Sequence, residues 1–180
     1  MLRENDQASH YQDARRSHWD DIARKKDNWT SWGIYYHKRL RQIYQFLVAP
    51  GQRVLEIGCA TGDLLAELKP TLGVGIDSSG EMVRRAAQRH PELNFIQCDA
   101  HNLSVNQRFD VVILSDVVND LWDVQAVFEE IARLSTARTR IVINTYSRLW
   151  ELPLTLAQRL DLATPTLGQN WLTVEDIAGP

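Results

Sequence analysis

Cysteine is scarce in this chain, and long apolar runs are missing. The 180 residues include two cysteines, Cys59 and Cys98, which lie far apart and have no histidine pairs nearby. This spacing argues against a disulfide framework and against a zinc site. No stretch reaches the roughly 18 apolar residues that cross a bilayer, and the polar start MLRENDQASH has no secretory core. We therefore expect a cytoplasmic protein that binds no metal and does not enter a membrane.

An excess of positive charge is missing as well. The formal net charge is −3 at pH 7, with 24% charged and 44% hydrophobic residues. Such a balance is ordinary for a globular domain and gives no general attraction for nucleic acid or an anionic membrane. Two local basic clusters, at residues 24–26 and 38–41, lie in helix-like stretches beside acids or aromatics. We expect solvated helix faces there, and a phosphate-bearing or acidic partner is the alternative.

A regular alternation of apolar runs and helical patterns begins after Pro50. Strands are predicted at residues 53–57, 72–76, 93–97, 109–114 and 140–144. Helices are predicted between them, at residues 62–68, 80–89 and 124–134. Continuous apolar strands that alternate with helices are typical of a parallel sheet covered on both faces. With right-handed crossovers, the pattern predicts a doubly wound α/β fold.

The chain divides into three predicted parts. They are an N-terminal helical arm or lid at residues 1–48, an α/β core at residues 49–146 and a C-terminal helical segment at residues 147–180. The arm starts with polar residues, and its helical pattern is clear from Trp19. In the last part a helix is expected at residues 151–160, and another begins with Thr173 as N-cap. Because that helix is cut off, we expect the sequence to be a piece of a longer protein.

The first strand runs into a loop of small residues, in the segment VLEIGCATGDLL. Glycine lets the backbone turn tightly and lets a ligand lie against it, and the next helix directs free N–H groups toward the site. A dinucleotide loop would need the spacing G-x-G-x-x-G, whereas the small residues here are Gly58, Ala60 and Gly62. Glu56 would repel a pyrophosphate, so a pocket for a cationic ligand fits better. An ordinary strand–helix turn with a half-exposed Glu56 is the alternative.

Two more acids end the next two strands. Asp77 closes the second run and Asp99 the third, and the carboxyl ends of parallel strands share one edge of the sheet. Asp77 could accept both hydroxyls of a ribose there. Asp99 could bind an adenine together with the N–H of Ala100, and His101 is expected at the adenine edge or in solvent. Each acid alone also fits a helix cap or a turn, but three acids at successive strand ends indicate a nucleoside site.

Four segments together resemble a known family. VLEIGCATG, VGIDSSGEMV, FIQCDAHNL and FDVVILSDVVNDLWD, in this order and spacing, are similar to the successive motifs of class I S-adenosylmethionine-dependent methyltransferases. Ala60 stands where the family more often has glycine. The family's sheet ends in an antiparallel hairpin that has no counterpart in this chain. The fifth strand would then lie at the sheet edge, where we expect the residues after Tyr146, or a second chain, to cover it.

The resemblance implies S-adenosylmethionine as the cofactor and S-adenosylhomocysteine as its product. The backbone around Gly58 would carry the methionine part and Glu56 its amino end, while Asp77 would take the ribose. Asp99 would bind the adenine, and Met82 would pack on the adenine face or belong to the core. The full set implied for the cofactor is Tyr36, Glu56, Gly58, Ala60, Gly62, Asp77, Ser78, Met82, Asp99, Ala100 and Ser115.

The sequence says less about the methyl acceptor than about the cofactor. An activated methyl group needs no nucleophile from the protein, so no motif is required there. Asp116 follows the fourth strand, in the segment that faces the acceptor in the family, and is predicted as a catalytic base. His37, in the aromatic arm, is the second candidate base. Asn119 could contact the substrate, or could cap the helix after Trp122 together with Asp120.

The aromatic residues of the arm have two interpretations. Tyr35, Tyr36 and His37 could fold over the cofactor as a lid, or the aromatic side chains could pack against the sheet. Tyr146 and Arg148, after the fifth strand, are further candidates for contacts with the substrate.

The leading hypothesis is an enzyme that moves a methyl group from S-adenosylmethionine to an oxygen or nitrogen atom of a small-molecule acceptor. A non-catalytic cofactor-binding domain, or a fragment of a larger multidomain protein, is the alternative. A nicotinamide oxidoreductase comes third because Glu56 and the loop spacing disfavour it. We expect a homodimer or an additional C-terminal domain as protein partner, and no nucleic acid.

Overall fold

The computed structural model describes residues 4–25 and 31–145, together with Thr155 and Leu167. Its elements in chain order are α1 (Glu4–Lys25), α2 (Ser31–Leu47), β1 (Arg53–Ile57), α3 (Asp63–Glu67), β2 (Leu72–Asp77), α4 (Gly80–Arg89), β3 (Asn94–Gln97), β4 (Val111–Ser115), a 3-10 helix (Val118–Asp120), α5 (Val124–Arg133) and β5 (Arg140–Asn144). Within these residues, no helix has the length and apolar character that would let it cross a membrane. The helices expected at residues 151–160 and after Thr173 lie outside the described residues.

All five described strands run parallel in one sheet, in the order β3-β2-β1-β4-β5. β1 is central, and its Leu55 pairs with Val74 of β2 and with Val112 of β4. The chain builds outward from β1 in one direction through β2 and β3, and in the other through β4 and β5. The predicted doubly wound fold is confirmed, and its switch point falls between β1 and β4, beside the loop that follows β1. β5 is the edge strand of the described sheet, and the cover expected over it stays a prediction.

Both faces of the sheet are covered by apolar layers. Successive side chains of the central strand point to opposite faces and so contribute to both layers. Leu55 of β1 packs into one apolar layer with Ile131 of α5. Val54 packs into the other layer with Tyr44 of α2. Glu56 is two residues from Val54 and therefore faces the α2 side, inside an apolar layer. Its carboxyl group is consequently held close to the switch point and away from solvent.

The strand and helix bounds predicted at residues 53–57, 80–89 and 140–144 agree with β1, α4 and β5. β4 begins at Val111 rather than at residue 109, although Phe109 is fully buried. The carbonyl of Phe109 accepts a hydrogen bond from Oγ1 of Thr139 at 2.7 Å instead of joining the strand ladder. The apolar pattern of this stretch correctly predicted that it belongs to the core. The strand itself starts two residues later, after the carbonyl that Thr139 bonds.

The helix of the N-terminal arm starts earlier than its apolar pattern predicts. α1 begins at Glu4, whereas the sequence shows a helical pattern only from Trp19. Ion pairs one turn apart support the polar part of the helix, Arg16 with Asp13 at 3.4 Å among them. The rest of α1 is held by contacts with α4 and with loops at the edge of the sheet. The sequence of α1 has no apolar stripe that would predict these contacts.

Candidate functional site at the carboxyl edge of the sheet

The loop between β1 and α3 contains three residues with left-handed backbone. The φ angle is +75° at Gly58, +45° at Ala60 and +75° at Gly62. A Cβ atom at Gly58 would lie 2.7 Å from Cγ2 of Val117, and one at Gly62 would lie 2.5 Å from Cζ of Phe95. Both positions therefore require glycine by conformation and by space. Ala60 adopts the left-handed conformation with a Cβ atom, which costs roughly 1–2 kcal/mol.

Backbone N–H groups of this loop are bonded within the protein. The carbonyl of Ile76 accepts from Gly58 and Cys59 at 2.8 and 3.0 Å, and the carbonyl of Cys59 accepts from Gly62 at 2.8 Å. The N–H of Ala60 donates to Oδ2 of the aspartate that ends β2, at 2.9 Å. A pyrophosphate site needs such donors directed at the ligand. The loop geometry therefore counts against a dinucleotide site, as the glutamate before the loop also does.

Asp77 joins this loop to the start of α4. Its carboxylate accepts hydrogen bonds from the backbone N–H groups of Ala60 and Ser79, both at 2.9 Å. Burial raises the pKa of Asp77 to about 6, against the lowering effect of these two hydrogen bonds. Ser79 caps α4 by accepting from the N–H of Met82 at 3.1 Å, and Met82 is 4% exposed. Ser78 lies between strand and cap, so the predicted ribose acid, Ser78 and Met82 occupy one continuous turn.

Asp99 lies on the neighbouring strand end, because the N–H of Cys98 donates to the carbonyl of Asp77 at 3.0 Å. Oδ1 of Asp99 accepts from the backbone N–H of His101 at 2.8 Å and lies 2.6 Å from Nδ1 of the ring. Nε2 of His101 accepts from the N–H of Asp123 at 3.1 Å. A neutral imidazole with its proton on Nδ1 satisfies both ring nitrogens, so Nδ1 donates to Asp99.

Two opposing effects act on the Asp99 carboxyl. Burial would raise its pKa, but the side-chain and backbone hydrogen bonds from His101, together with the charge of Arg16, outweigh burial, and the pKa of Asp99 lies below its usual value. Ala100, whose N–H was predicted to bind adenine beside Asp99, is buried with 9% exposure. The structure thus brings Asp77, Asp99 and Ala100 to the same edge of the sheet, as predicted.

α1 crosses this edge. Nε1 of Trp19 donates to Asp120 at 3.1 Å, and Arg15 lies 3.7 Å from the same carboxylate. Asp20 accepts from the hydroxyl of Ser79 and, at 3.1 Å, from the N–H of Glu81. The helix therefore touches the loop after β4 and the N-terminus of α4, which follows β2. Sequence reasoning assigned residues 1–48 to an arm or lid but named only residues 35–37 in it as contacts of the site, and so missed Trp19 and Asp20.

Further contacts continue α1 along the same edge. Tyr11 packs edge-on against Trp122, with ring centroids 5.1 Å apart, and Gln12 lies 3.4 Å from the ring of His101. Arg15 stacks 3.6 Å above the ring of Tyr11. The only sequence signal for this docking is a row of aromatic and charged residues one turn apart. Such a row also fits a solvated helix.

A second cluster lies at the ends of β4 and β5. The hydroxyl of Tyr36 donates to the carboxylate of Asp116, with its two oxygens at 2.8 and 3.0 Å. Nδ2 of Asn144 donates to the same carboxylate and lies 3.4 Å from the Tyr36 oxygen. The hydroxyl of Tyr44 donates to Oδ1 of Asn144 at 2.6 Å. Ser115, the last residue of β4, precedes Asp116 and bonds to Tyr44. Of these, sequence reasoning missed Tyr44 and Asn144.

Glu56 lies between the two clusters and is buried, with 2% exposure. The ordinary turn with a half-exposed Glu56, considered above, is therefore wrong on this point. Burial raises the pKa of Glu56 to about 8, a hydrogen bond with the backbone of Leu65 lowers it, and the charges of Asp77 and Asp63 raise it further. Oε2 has no hydrogen-bond partner within the described part of the chain. A buried oxygen of this kind is suited to a donor supplied by a ligand.

His37, the second predicted base, has a different environment from Asp116. Burial lowers its pKa, the charge of Arg41 lowers it further, and Asp63 raises it. The ring of His37 packs edge-on against Tyr36 at 5.4 Å. It therefore adjoins the second cluster through Tyr36.

The remaining predicted contacts separate into three groups. Asn119 is fully buried in the 3-10 helix, and Asp120 bonds to α1. The expected cap of α5 is neither of these but Asp123, which accepts from the N–H of Ala126 at 3.0 Å. Tyr35 is 69% exposed, so packing of this side chain against the sheet is wrong. Tyr146 and Arg148 lie outside the described residues.

A family model described as a methyltransferase domain matches residues 49–179. A ubiquinone biosynthesis O-methyltransferase of Rhodopseudomonas palustris (strain TIE-1) is 33% identical over 109 residues, which cover 56% of this chain and 42% of the relative. A demethylmenaquinone methyltransferase of Thermotoga maritima is 32% identical over 133 residues, covering 69% and 58%. The chain spans about half the length of the curated relatives it matches.

Among solved structures, the N-methyltransferase NodS from Bradyrhizobium japonicum WM9, in complex with S-adenosylhomocysteine, superposes with a TM-score of 0.58. Its sequence is 19% identical, and the match covers 68% of each chain. At this identity the likeness concerns the fold, and the family model carries the assignment. This chain belongs to the class I S-adenosylmethionine-dependent methyltransferase family, and S-adenosylmethionine is its cofactor.

Proposed function

We propose that this chain transfers the methyl group of S-adenosylmethionine to an oxygen or nitrogen atom of a small molecule. The observation that carries the proposal is the presence of two different polar clusters on one sheet edge. Asp77 ends β2 and Asp99 follows the end of β3 on one side of the switch point, and Asp116 with Tyr36 lies past the end of β4 on the other side. Methyl transfer needs a nucleoside pocket and an acceptor pocket that meet at the sulfonium group, and this edge offers a place for each.

In the proposed cofactor pocket, Asp77 binds the ribose hydroxyls, and Asp99 with the N–H of Ala100 binds the adenine. The turn at Gly58 carries the methionine part. The other residues assigned to the pocket are Tyr36, Glu56, Ala60, Gly62, Ser78, Met82 and Ser115. Support comes from their placement along one edge of the sheet, at the ends of β1, β2 and β4, and from acids suited to a ligand that carries two positive charges.

Glu56 is proposed to bind the ammonium group of the cofactor's methionine part. Because its pKa is raised to about 8 by burial, the carboxyl group is mostly protonated at neutral pH. A cation placed next to it would favour the charged form. Cofactor binding near pH 7 is then expected to release a proton, which calorimetry detects as a dependence of the binding enthalpy on the ionisation enthalpy of the buffer.

Asp116 is proposed as the base. The acceptor's lone pair attacks the methyl carbon, the carbon–sulfur bond breaks, and its electron pair stays on sulfur in S-adenosylhomocysteine. The proton of the acceptor's O–H or N–H group goes to the Asp116 carboxylate and then to water. Tyr36 and Asn144 both donate to this carboxylate, and such donors stabilise the charged form that accepts a proton. His37 is the alternative base.

We propose a flat, hydroxylated ring as the acceptor class. One curated relative is named as a ubiquinone biosynthesis O-methyltransferase and another as a demethylmenaquinone methyltransferase, and both names refer to quinones, which are planar rings. The aromatic ring of Tyr36, at the second cluster, suits a planar molecule.

Calorimetric titration with S-adenosylmethionine, S-adenosylhomocysteine and NAD tests the cofactor part of the proposal. We expect the first two to bind, NAD not to bind, and Asp77→Ala to lose most of the affinity. Binding of NAD alone would contradict the assignment of the pocket.

Transfer is tested separately, with S-adenosylmethionine that carries a tritiated methyl group and a panel of catechol, phenols and aromatic amines. Appearance of label in any of them supports the enzyme. Tight binding of both cofactor forms, without transfer to any acceptor, would favour the alternative of a non-catalytic binding domain.

A further inference from the structure

We propose that Asn144 is a positioning residue for methyl transfer, which together with Tyr44 fixes the carboxylate of Asp116 on the acceptor side of the site. The inference rests on the proposed function, because it gives a task to residues around the proposed base. It concerns two residues, Asn144 at the end of β5 and Tyr44 in α2, that lie 100 positions apart in the chain.

The orientation of the Asn144 amide follows from the chemistry of its neighbours. A carboxylate can only accept hydrogen bonds, so the group of Asn144 that faces Asp116 must be the NH2 group. Oδ1 then faces Tyr44, whose hydroxyl must donate, over 2.6 Å. Tyr36 also donates to Asp116. The direction of donation therefore runs from Tyr44 to Asn144 and from Asn144 to the Asp116 carboxylate, which Tyr36 also bonds.

Burial keeps Tyr44 in the donor state that this order requires. The side chain is 1% exposed in the apolar layer on the α2 face. Burial raises the pKa of Tyr44, a hydrogen bond with Ser115 lowers it, and the charges of Glu56 and Asp116 raise it further. The phenol thus stays protonated and continues to donate to Asn144 throughout the neutral range.

The backbone of Asp116 needs this support. Its φ angle is +58°, in the left-handed region that residues with a side chain rarely adopt. The N–H of Asp116 donates to the backbone carbonyl of Asn144 at 3.2 Å, and Ser115 pairs with Asn144 in the sheet. Asn144 therefore holds Asp116 twice, by its carbonyl and by its amide side chain. Strained residues fixed from several sides are concentrated at functional sites.

A hydrogen-bond network of this kind also joins α2 to the sheet, so a purely structural role has to be distinguished from positioning. A structural role predicts that loss of the network lowers stability and impairs cofactor binding and turnover together. A positioning role predicts a loss in kcat alone, because a displaced carboxylate still leaves the cofactor pocket intact. Displacement of a reacting group by about 1 Å can cost roughly 100-fold in rate.

The test uses the full chain with three variants. Asn144→Ala removes the amide, and Tyr44→Phe removes only the hydroxyl that orients it, with the ring retained. Asn94→Ala is the matched control, since Nδ2 of Asn94 donates to the carbonyl of Gly73 at the opposite, amino end of the sheet. Catechol is the acceptor probe, kcat and KM are measured with tritiated S-adenosylmethionine, and the affinity for S-adenosylhomocysteine is measured by calorimetry.

We expect Asn144→Ala to lower kcat roughly 30- to 100-fold and Tyr44→Phe about 10-fold, with the affinity for S-adenosylhomocysteine within about threefold of the wild-type value. Asn94→Ala should keep its kcat. An unchanged kcat in Asn144→Ala, or a parallel fall of kcat and affinity in Tyr44→Phe, would overturn the inference and leave the proposed function standing. A wild-type chain that binds S-adenosylhomocysteine but methylates neither catechol nor the other acceptors would instead remove the proposed function, and this inference with it.

Discussion

The acidic side chains on the two sides of the switch point accept hydrogen bonds from different kinds of donor. On the nucleoside side, Asp77 and Asp99 accept from backbone N–H groups 2 or 17 positions away in the chain. On the acceptor side, Asp116 accepts from the side chains of Tyr36 and Asn144, which are 80 and 28 positions away. The first side is built by the strand–turn–helix units themselves, and the second is assembled from distant parts of the chain. On the proposed function, this difference corresponds to a fixed cofactor pocket beside an acceptor pocket that side chains can vary.

The largest expected effect falls on the acceptor side. Asp116→Asn keeps the shape of the side chain and removes the proposed proton acceptor, so kcat should fall about 100- to 10,000-fold, the usual worth of a positioned base. The affinity for S-adenosylhomocysteine should change little. Asp110→Asn is the control, since Asp110 pairs with Arg53 at the amino end of the sheet. A comparable loss of cofactor affinity in Asp116→Asn would remove the separation between the two sides.

Glu56, which lies between the two sides, is expected to make stability depend on pH. Its pKa in the folded protein, about 8, exceeds the ordinary 4.5. Between these pH values the folded chain holds a proton that the unfolded chain has lost, so the stabilising contribution is complete below about pH 4.5 and disappears as the pH rises through about 8. Asp77, with a pKa of about 6, acts in the same direction over a narrower range.

Replacement of the Glu56 carboxyl group by an amide should remove its share of the loss of stability at high pH. We expect Glu56→Gln to equal the wild type near pH 4.5 and to exceed its free energy of unfolding by about 3–5 kcal/mol near pH 9. Urea unfolding across this pH range measures the difference, and Glu92→Gln on the surface serves as the control. Parallel pH profiles for Glu56→Gln and the wild type would show that Glu56 is ionised in the folded protein.

A smaller effect is expected on the nucleoside side. Asp99→Asn retains the side-chain shape but replaces a charged acceptor of the adenine amine, which is worth about 2 kcal/mol, or roughly 30-fold in affinity. Calorimetry with S-adenosylhomocysteine measures the change. Turnover at saturating cofactor should be preserved, in contrast to Asp116→Asn. Undiminished affinity would place the adenine elsewhere on the edge.

The smallest effect concerns the loop that both sides share. Ala60→Gly removes the cost of a left-handed alanine, roughly 1–2 kcal/mol, and adds the larger flexibility of glycine in the unfolded chain, about 0.4–1 kcal/mol. The free energy of unfolding should therefore rise by about 0.5–1 kcal/mol, visible as a melting temperature a few degrees higher. A lower melting temperature would mean that the methyl group of Ala60 makes packing contacts worth more than the strain.

The contrast between local and distant partners also explains what the sequence could predict. The doubly wound sheet, the tight glycine turn after β1 and the acids at the strand ends were predicted from short segments such as VLEIGCATG and VGIDSSGEM. Asn144 and Tyr44 could not be found in this way, because neither residue lies in a recognisable motif and their partners are distant. The docking of α1 was missed for a related reason: Trp19 contacts the loop after β4 and Asp20 contacts the start of α4, and a polar helix gives no periodic apolar signal.

The course of α1 has a consequence for the timing of the reaction cycle. Through Trp19 and Asp20 the helix is hydrogen-bonded to the turns that follow β4 and β2, on the edge where the cofactor is proposed to bind. On the proposed function, fresh cofactor would enter and spent cofactor would leave beside this helix. We expect movement of α1 to accompany each exchange, separately from the transfer step. Substitutions at Asp20 would then alter the residence time of the product rather than the rate of the transfer step.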